Sequence, residues 1–221
     1  MYEQVPDLAK LLARLQATIK SLSLPRMESS LNAVVAIIQT KTNASIDNQA
    51  ASGFVKASDT ILATATPQDL FPIVDLWRLA LLVDGFATWC ALNSAGLSNL
   101  IDRVAGQMQQ LGAASPKPLS LTSLRLLSNI SANSALLRQV VYGRERRSSF
   151  TQVAVAGLLH EDTNVRTAAS TLVFNVSAYL QRSRRQAPSQ PDPVEDGDWE
   201  VEVLTAVIET LSRESEGGIG K

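Results

Sequence analysis

The sequence predicts an all-α protein built as an array of helical repeats, and three observations predict it. Apolar clusters recur at i, i+3, i+4 and i+7 along almost the whole chain, and none alternates long enough for a strand. Ala, Leu, Val and Ser dominate while aromatic residues make up only 5%, which suits close helix–helix contact better than broad sheets. One segment also repeats: LLSNISAN, from Leu126 to Asn133, is answered by LVFNVSAY, from Leu172 to Tyr179, at an offset of 46 residues.

The elements follow in chain order. Asp7 to Ser21 reads as a first helix, with Leu8, Leu11, Leu12, Leu15 and Ile19 on one stripe. Pro25 opens a second segment whose buried face is Leu31, Val34, Val35 and Ile38. The polar stretch KTNASIDN separates it from a third helix near Ala50 to Ala63. Thr66-Pro67 breaks the chain, and DLFPIVDLWRLALLV follows as one helix with Pro72 in its first turn, where the missing N–H costs little. Further helices are expected at Ser98 to Leu111, Leu119 to Ile130, Ser134 to Val141 and Phe150 to Leu159, then Asn164 to Gln181 and Trp199 to Ser212. The stretch HEDTN is a tight corner, with Asp162 or Thr163 as N-cap of the helix after it. RRQAPSQPDPVEDG, rich in proline and charge, reads as an excursion between helices.

A period in the mid-forties on helical segments falls in the range of armadillo and HEAT repeats, so the expected fold is an armadillo/HEAT-like α-solenoid. The alternative is a non-repetitive bundle with chance matches. A weaker third copy lies 47 residues before Leu126, in LWRLALLVDGF, where Arg78 matches Arg125 and Leu82 takes the asparagine position. If the copies stack, Arg78, Arg125 and Thr171 share one rung, and Leu82, Asn129 and Asn175 the next. Asparagine can satisfy a peptide N–H and C=O together, and arginine can grip a carboxylate through two hydrogen bonds. Each residue has a plainer reading. Asn129 and Asn175 could bond helix to helix, and Asp75 could hold Arg78 in a local ion pair.

The charge is locally lopsided. Arg138, Arg144, Arg146, Arg147, Arg166, Arg182, Arg184 and Arg185 face only Glu145, Glu161 and Asp162, and an acidic run from Asp192 to Glu202 follows. A basic surface would speed capture of an acidic segment. For RERR and RSRR the plainer reading is a solvated loop paired with the acidic run. Arg166 differs, since it opens a helix expected to border the groove of the array.

Other chemistry is thinly supplied. His160 is the lone histidine, which excludes a multi-histidine metal site, and no cofactor is implied. Cys90 sits in the apolar FATWCAL, the setting of an inert thiol, and His160 suits a solvated or capping role, so no catalytic residue is assigned. A single cysteine, no signal peptide and no apolar run of membrane length give a cytoplasmic or nuclear expectation. Balanced charge and the lack of a recognition motif argue against nucleic acid.

Four segments in order, LFPIVDLWRLALL, LRLLSNISANSALL, LLHEDTNVRTAASTLVFNVSAYLQ and DWEVEVLTAVIETL, resemble successive signatures of the PUL domain. That domain occurs in the phospholipase-activating protein and its yeast counterpart, and in fungal proteins beside thioredoxin and PPPDE peptidase modules. The resemblance runs from Leu22 to the C-terminus. With it the expected organisation is an N-terminal helix at 1–22, then a repeat domain at 23–221, incomplete at its C-terminal end, in which the proline- and charge-rich stretch at 183–197 is a flexible loop. The resemblance implies an adaptor that binds the C-terminal tail of the AAA+ ATPase valosin-containing protein, in ubiquitin-dependent protein handling. That tail is acidic with an aromatic residue, and basic side chains meet it. The peptide-binding set expected here is Arg78, Arg125, Asn129, Arg166 and Asn175. The resemblance also implies at least one more repeat where the chain reads SEGGIGK. The alternative function is a structural or dimerisation module of a larger multidomain protein.

Overall fold

The computed structural model describes residues 8–24, 27–40, 46–141, 144–186 and 198–218. Among them it is helical, with no strand. The first helices are α1 (Leu8–Ser21), α2 (Glu28–Thr40), α3 (Asn48–Thr64), α4 (Phe71–Ala80) and α5 (Asp84–Leu92). Then come α6 (Ala95–Leu111), a 3₁₀ turn (Gly112–Ala114), α7 (Lys117–Ala132), α8 (Ser134–Val141) and α9 (Arg144–Leu158). The last two are α10 (Thr163–Gln186) and α11 (Asp198–Gly218).

The period read from the motif is the period of the fold. α4, α7 and α10 begin at Phe71, Lys117 and Thr163, each 46 residues after the last. α7 packs between α4 and α10, and α1 packs on the far side of α4. This gives one row of helices, α1–α4–α7–α10. A second row runs α3–α6–α9–α11, and α9 packs against both α6 and α11 while also touching α7 and α10. The short α5 and α8 link the rows and touch each other. The units α4–α6 and α7–α9 are thus three helices each, with a short one in the middle, and each unit buries its apolar face on its neighbour.

Several boundaries differ from the sequence expectation. DLFPIVDLWRLALLV is two helices, because α4 stops at Ala80 in a tight turn: the Leu82 N–H bonds to Leu79 and the Val83 N–H to Ala80, both at i−3. α5 then starts at Asp84. RERR is no solvated loop, since it opens α9 and its Arg147 is 8% exposed. α10 runs on to Gln186, so RSRR is its last turn. The remainder of the excursion expected at 183–197 lies outside the described residues. Pro72 does stand in the first turn of α4, and Asp162 caps α10 by accepting from the N–H groups of Asn164 and Val165.

The two ends are packed by different means. Around α4 the filling is aromatic: Phe54, Trp77 and Phe86 meet with ring centroids 4.9–5.5 Å apart. Trp77 is fully buried, and its indole N–H is satisfied by the Ser58 hydroxyl at 3.0 Å. Further along, helices approach through small residues. A Cβ on Gly157 of α9 would lie 2.9 Å from that of Ala169 on α10 and 3.0 Å from the Leu124 methyls on α7. Only glycine fits there.

Candidate functional site

The aligned copies occupy adjacent helices, so the rung positions can be followed from α4 to α10. α4 is enclosed. Nine consecutive residues, Pro72 to Ala80, are buried. Arg78 is 2% exposed, and its Nε donates to Asp75 Oδ1 at 2.6 Å one helical turn away. Burying two charges is costly unless they meet this closely, so the pair must be held by its surroundings. The Arg78 guanidinium therefore stands in the core and does not present itself to a ligand on this surface.

Asn129 of α7 is also buried, at 4% exposure, and its Nδ2 donates to the main-chain oxygen of Arg78 at 3.2 Å. The geometry explains the residue type. A continuing α-helix would offer the Leu82 N–H to that carbonyl, but the turn redirects it to Leu79. Asn129 supplies a donor to the Arg78 carbonyl in the last turn of α4. The asparagine joins one repeat to the next, as the plainer reading held.

The open side of the row lies elsewhere. On α7, Leu121 and Arg125 are half-buried and Ala132 is exposed. Their counterparts 46 residues on are Thr167, exposed, and Thr171 and Ala178, half-buried. These positions share a helix face by their i, i+4 and i+11 spacing. On α10, Phe174 is 72% exposed and Asn175 is exposed beside it. Asn175, the counterpart of Asn129, is thus on the surface while Asn129 is in the core.

Arg166 is half-buried and knots the corner that leads into α10. Its Nη1 donates to the carbonyls of His160 and Glu161 at 2.9 and 2.6 Å, and its Nη2 to the Thr163 hydroxyl at 3.0 Å. His160, for which a solvated or a capping role was the expectation, is 5% exposed and bolts this corner to the previous one. Its Nδ1 accepts the Asp162 N–H at 2.9 Å, so Nε2 carries the proton and donates to the Ser115 carbonyl at 3.0 Å. Lys117 at the start of α7 reaches Asp162 at 2.7 Å, and this bond holds the Asp162 carboxyl below its ordinary range. The sequence signal for the bolt was weak, because a lone histidine after a helix suits several roles.

The rest of the titratable surface divides in the same way. Arg184, in RSRR, bonds Glu200 of α11 at 2.5 Å, as the pairing with the acidic run anticipated. Arg138, Arg182 and Arg185 are exposed. Cys90 is 1% exposed and burial pushes its thiol up to about 12, while both ring nitrogens of His160 are committed to the corner. Among the described residues no group of His, Cys, Asp or Glu could hold a metal ion, and no helix is long and apolar enough to cross a membrane.

A repeat array with an enclosed ion pair, a side-chain bolt between corners and an open face along α7 and α10 has the makings of a protein-interaction module. The comparison with family models makes the class specific: the PUL domain model matches residues 1–218, and the chain belongs to that family. The match reaches into the N-terminal helix, beyond the span where the resemblance was read. The PUL domain is a helical protein-interaction domain. The comparisons with curated proteins and with solved structures each found no match.

Proposed function

We propose that this chain is a peptide-binding adaptor that takes the acidic C-terminal tail of the AAA+ ATPase valosin-containing protein, in ubiquitin-dependent protein handling. The observation that carries the reading is Arg125, a half-buried cation on the open face of α7, beside Leu121 and ahead of Thr171 on the next helix. A guanidinium in such a place can grip a carboxylate in a partly desolvated setting, and Leu121 offers apolar surface to an aromatic side chain. Thr171 and Asn175 offer hydrogen bonds to an extended backbone. Membership of the PUL family across residues 1–218 supports the same class of activity.

In this reading the expected binding residues divide by role. Arg125 and Asn175 touch the peptide, and Arg166 sets the start of α10. Arg78 and Asn129 act as positioning residues, because they fix α4 to α7. Calorimetric titration with a synthetic acidic tail peptide tests this. Arg125→Ala is expected to weaken binding about tenfold or more, consistent with loss of a charge-assisted hydrogen bond worth ~1.5–3 kcal/mol. Binding should also weaken as salt is raised. Equal affinity for the wild type and Arg125→Ala, or for the acidic peptide and one with its carboxylates amidated, would refute the proposal.

A further inference from the structure

α10 runs about two turns past the end of its counterpart. α7 stops at Ala132, which matches Ala178, while α10 continues to Gln186. The added turns keep the direction of the open face. Thr171, Ala178, Arg182 and Arg185 stand at i, i+7, i+11 and i+14, a set that falls within about 60° around a helix. Arg182 and Arg185 are exposed. Arg184 lies between them in sequence but on the far side of α10, where it bonds Glu200 of α11 at 2.5 Å. No Asp or Glu occurs in α7 or in α10.

We propose that Arg182 and Arg185 form a second anionic subsite, which takes acidic side chains of the same peptide at a fixed distance from the carboxylate held by Arg125. The subsite extends the peptide site proposed for Arg125 and rests on that reading. Its placement carries the inference. Cations in the last turn of a helix also offset the helix dipole, but that role is indifferent to the side they occupy. Here one arginine of the three turns to α11, and the other two continue the open stripe. Two neighbouring guanidinium groups, on a face to which α7 and α10 contribute no carboxylate, attract anions and can bond them through paired N–H groups.

The geometry sets a spacing. Arg182 and Arg185 lie eleven and fourteen residues beyond Thr171, the α10 counterpart of Arg125, or about 16 and 21 Å along the axis. α7 and α10 pack side by side, and packed helix axes stand about 8–10 Å apart. The span from Arg125 to the pair is then roughly 18–23 Å. An extended peptide covers it in about six or seven residues, at ~3.3 Å each. The partner that fits is therefore an extended chain with two acidic points at that separation, and a single terminal charge engages only half of the site.

Calorimetric titration of the whole chain with three synthetic peptides tests it. The first has one acidic end with an aromatic residue. The second adds two glutamates about six or seven residues away, and the third places glutamines there instead. The wild type should bind the second about fivefold more tightly than the third, or better, and the advantage should shrink as salt is raised. In Arg182→Ala with Arg185→Ala the advantage should vanish while the first peptide binds as before. Arg184→Ala, which faces α11, should keep it. All three arginines are exposed, so the helical circular dichroism should not change. A wild type that binds the first peptide but holds the second and third alike overturns the subsite and leaves the Arg125 site standing. One that binds none of them overturns both. An advantage that survives in the double variant also overturns the subsite, and assigns Arg182 and Arg185 to other contacts such as the chain's own acidic run from Asp192.

Discussion

The two copies of the repeated motif put the same residue into opposite surroundings. In LLSNISAN on α7, Ser128 and Asn129 are buried, and Asn129 supplies a donor to the last turn of α4. In LVFNVSAY on α10, Phe174 and Asn175 take those positions and both are exposed. The difference teaches that a residue's role in an array is set by what stacks on it. Among the described residues, α7 packs on a neighbour to each side within its row, whereas α10 packs within its row on α7. The same side chain is architecture on α7 and surface on α10.

The comparison can be broken by substitution, and the largest effect belongs to the most enclosed group. Asp75→Ala removes the carboxylate bonded to the buried Arg78 Nε and should cost ~3–5 kcal/mol in urea denaturation, whereas Asp75→Leu with Arg78→Met should recover much of that loss. Asn129→Ala comes next at ~1–3 kcal/mol, because it leaves the Arg78 carbonyl without the donor from α7. Asn175→Ala should stay within about 0.5 kcal/mol of the wild type. Equal losses for the two asparagines would end the distinction between them.

Smaller effects sharpen it at the corners. Asp162 has its carboxyl held low chiefly by Lys117, so its folded-state value lies below its unfolded one. The stability it contributes is present above the ordinary carboxylate range near 3.9 and is lost as pH falls through the depressed folded value. Stability measured between neutral pH and strongly acidic pH should therefore fall less steeply in Lys117→Ala than in the wild type. The smallest effect is a null. Cys90, buried and with its thiol pushed up to about 12, should resist alkylation in the native state at neutral pH and react once unfolded.

Much of the fold was legible in the sequence because helix periodicity and a 46-residue repeat are properties of local spacing. The stacking of α4, α7 and α10 follows from that repeat. What the sequence could not give was orientation around each helix. Arg78 and Arg125 match at a 47-residue offset in the sequence, but α4 and α7 start 46 residues apart, so the two arginines are one residue out of step around their helices; one is enclosed and one half-open, and α1 and α2 also pack against α4. The break between α4 and α5 was illegible for a similar reason. ALLVDGF is apolar enough to continue a helix, and the turn at Leu81 to Val83 forms where the chain crosses between rows. An apolar stripe on α11 was present in the spacing of Val201, Leu204, Ile208 and Leu211, but only the buried Val203 and Ala206 behind it show that it faces outward.

The central claim is that the open face of α7 and α10, rather than the enclosed α4, receives the peptide. Backbone amide shift changes on titrating the acidic tail peptide into the labelled chain test it most directly. The account predicts the largest changes near Leu121, Arg125, Thr167, Thr171 and Asn175, with the Arg78 amide little affected. Changes centred on α1 and α4, or on the apolar stripe of α11, would contradict it.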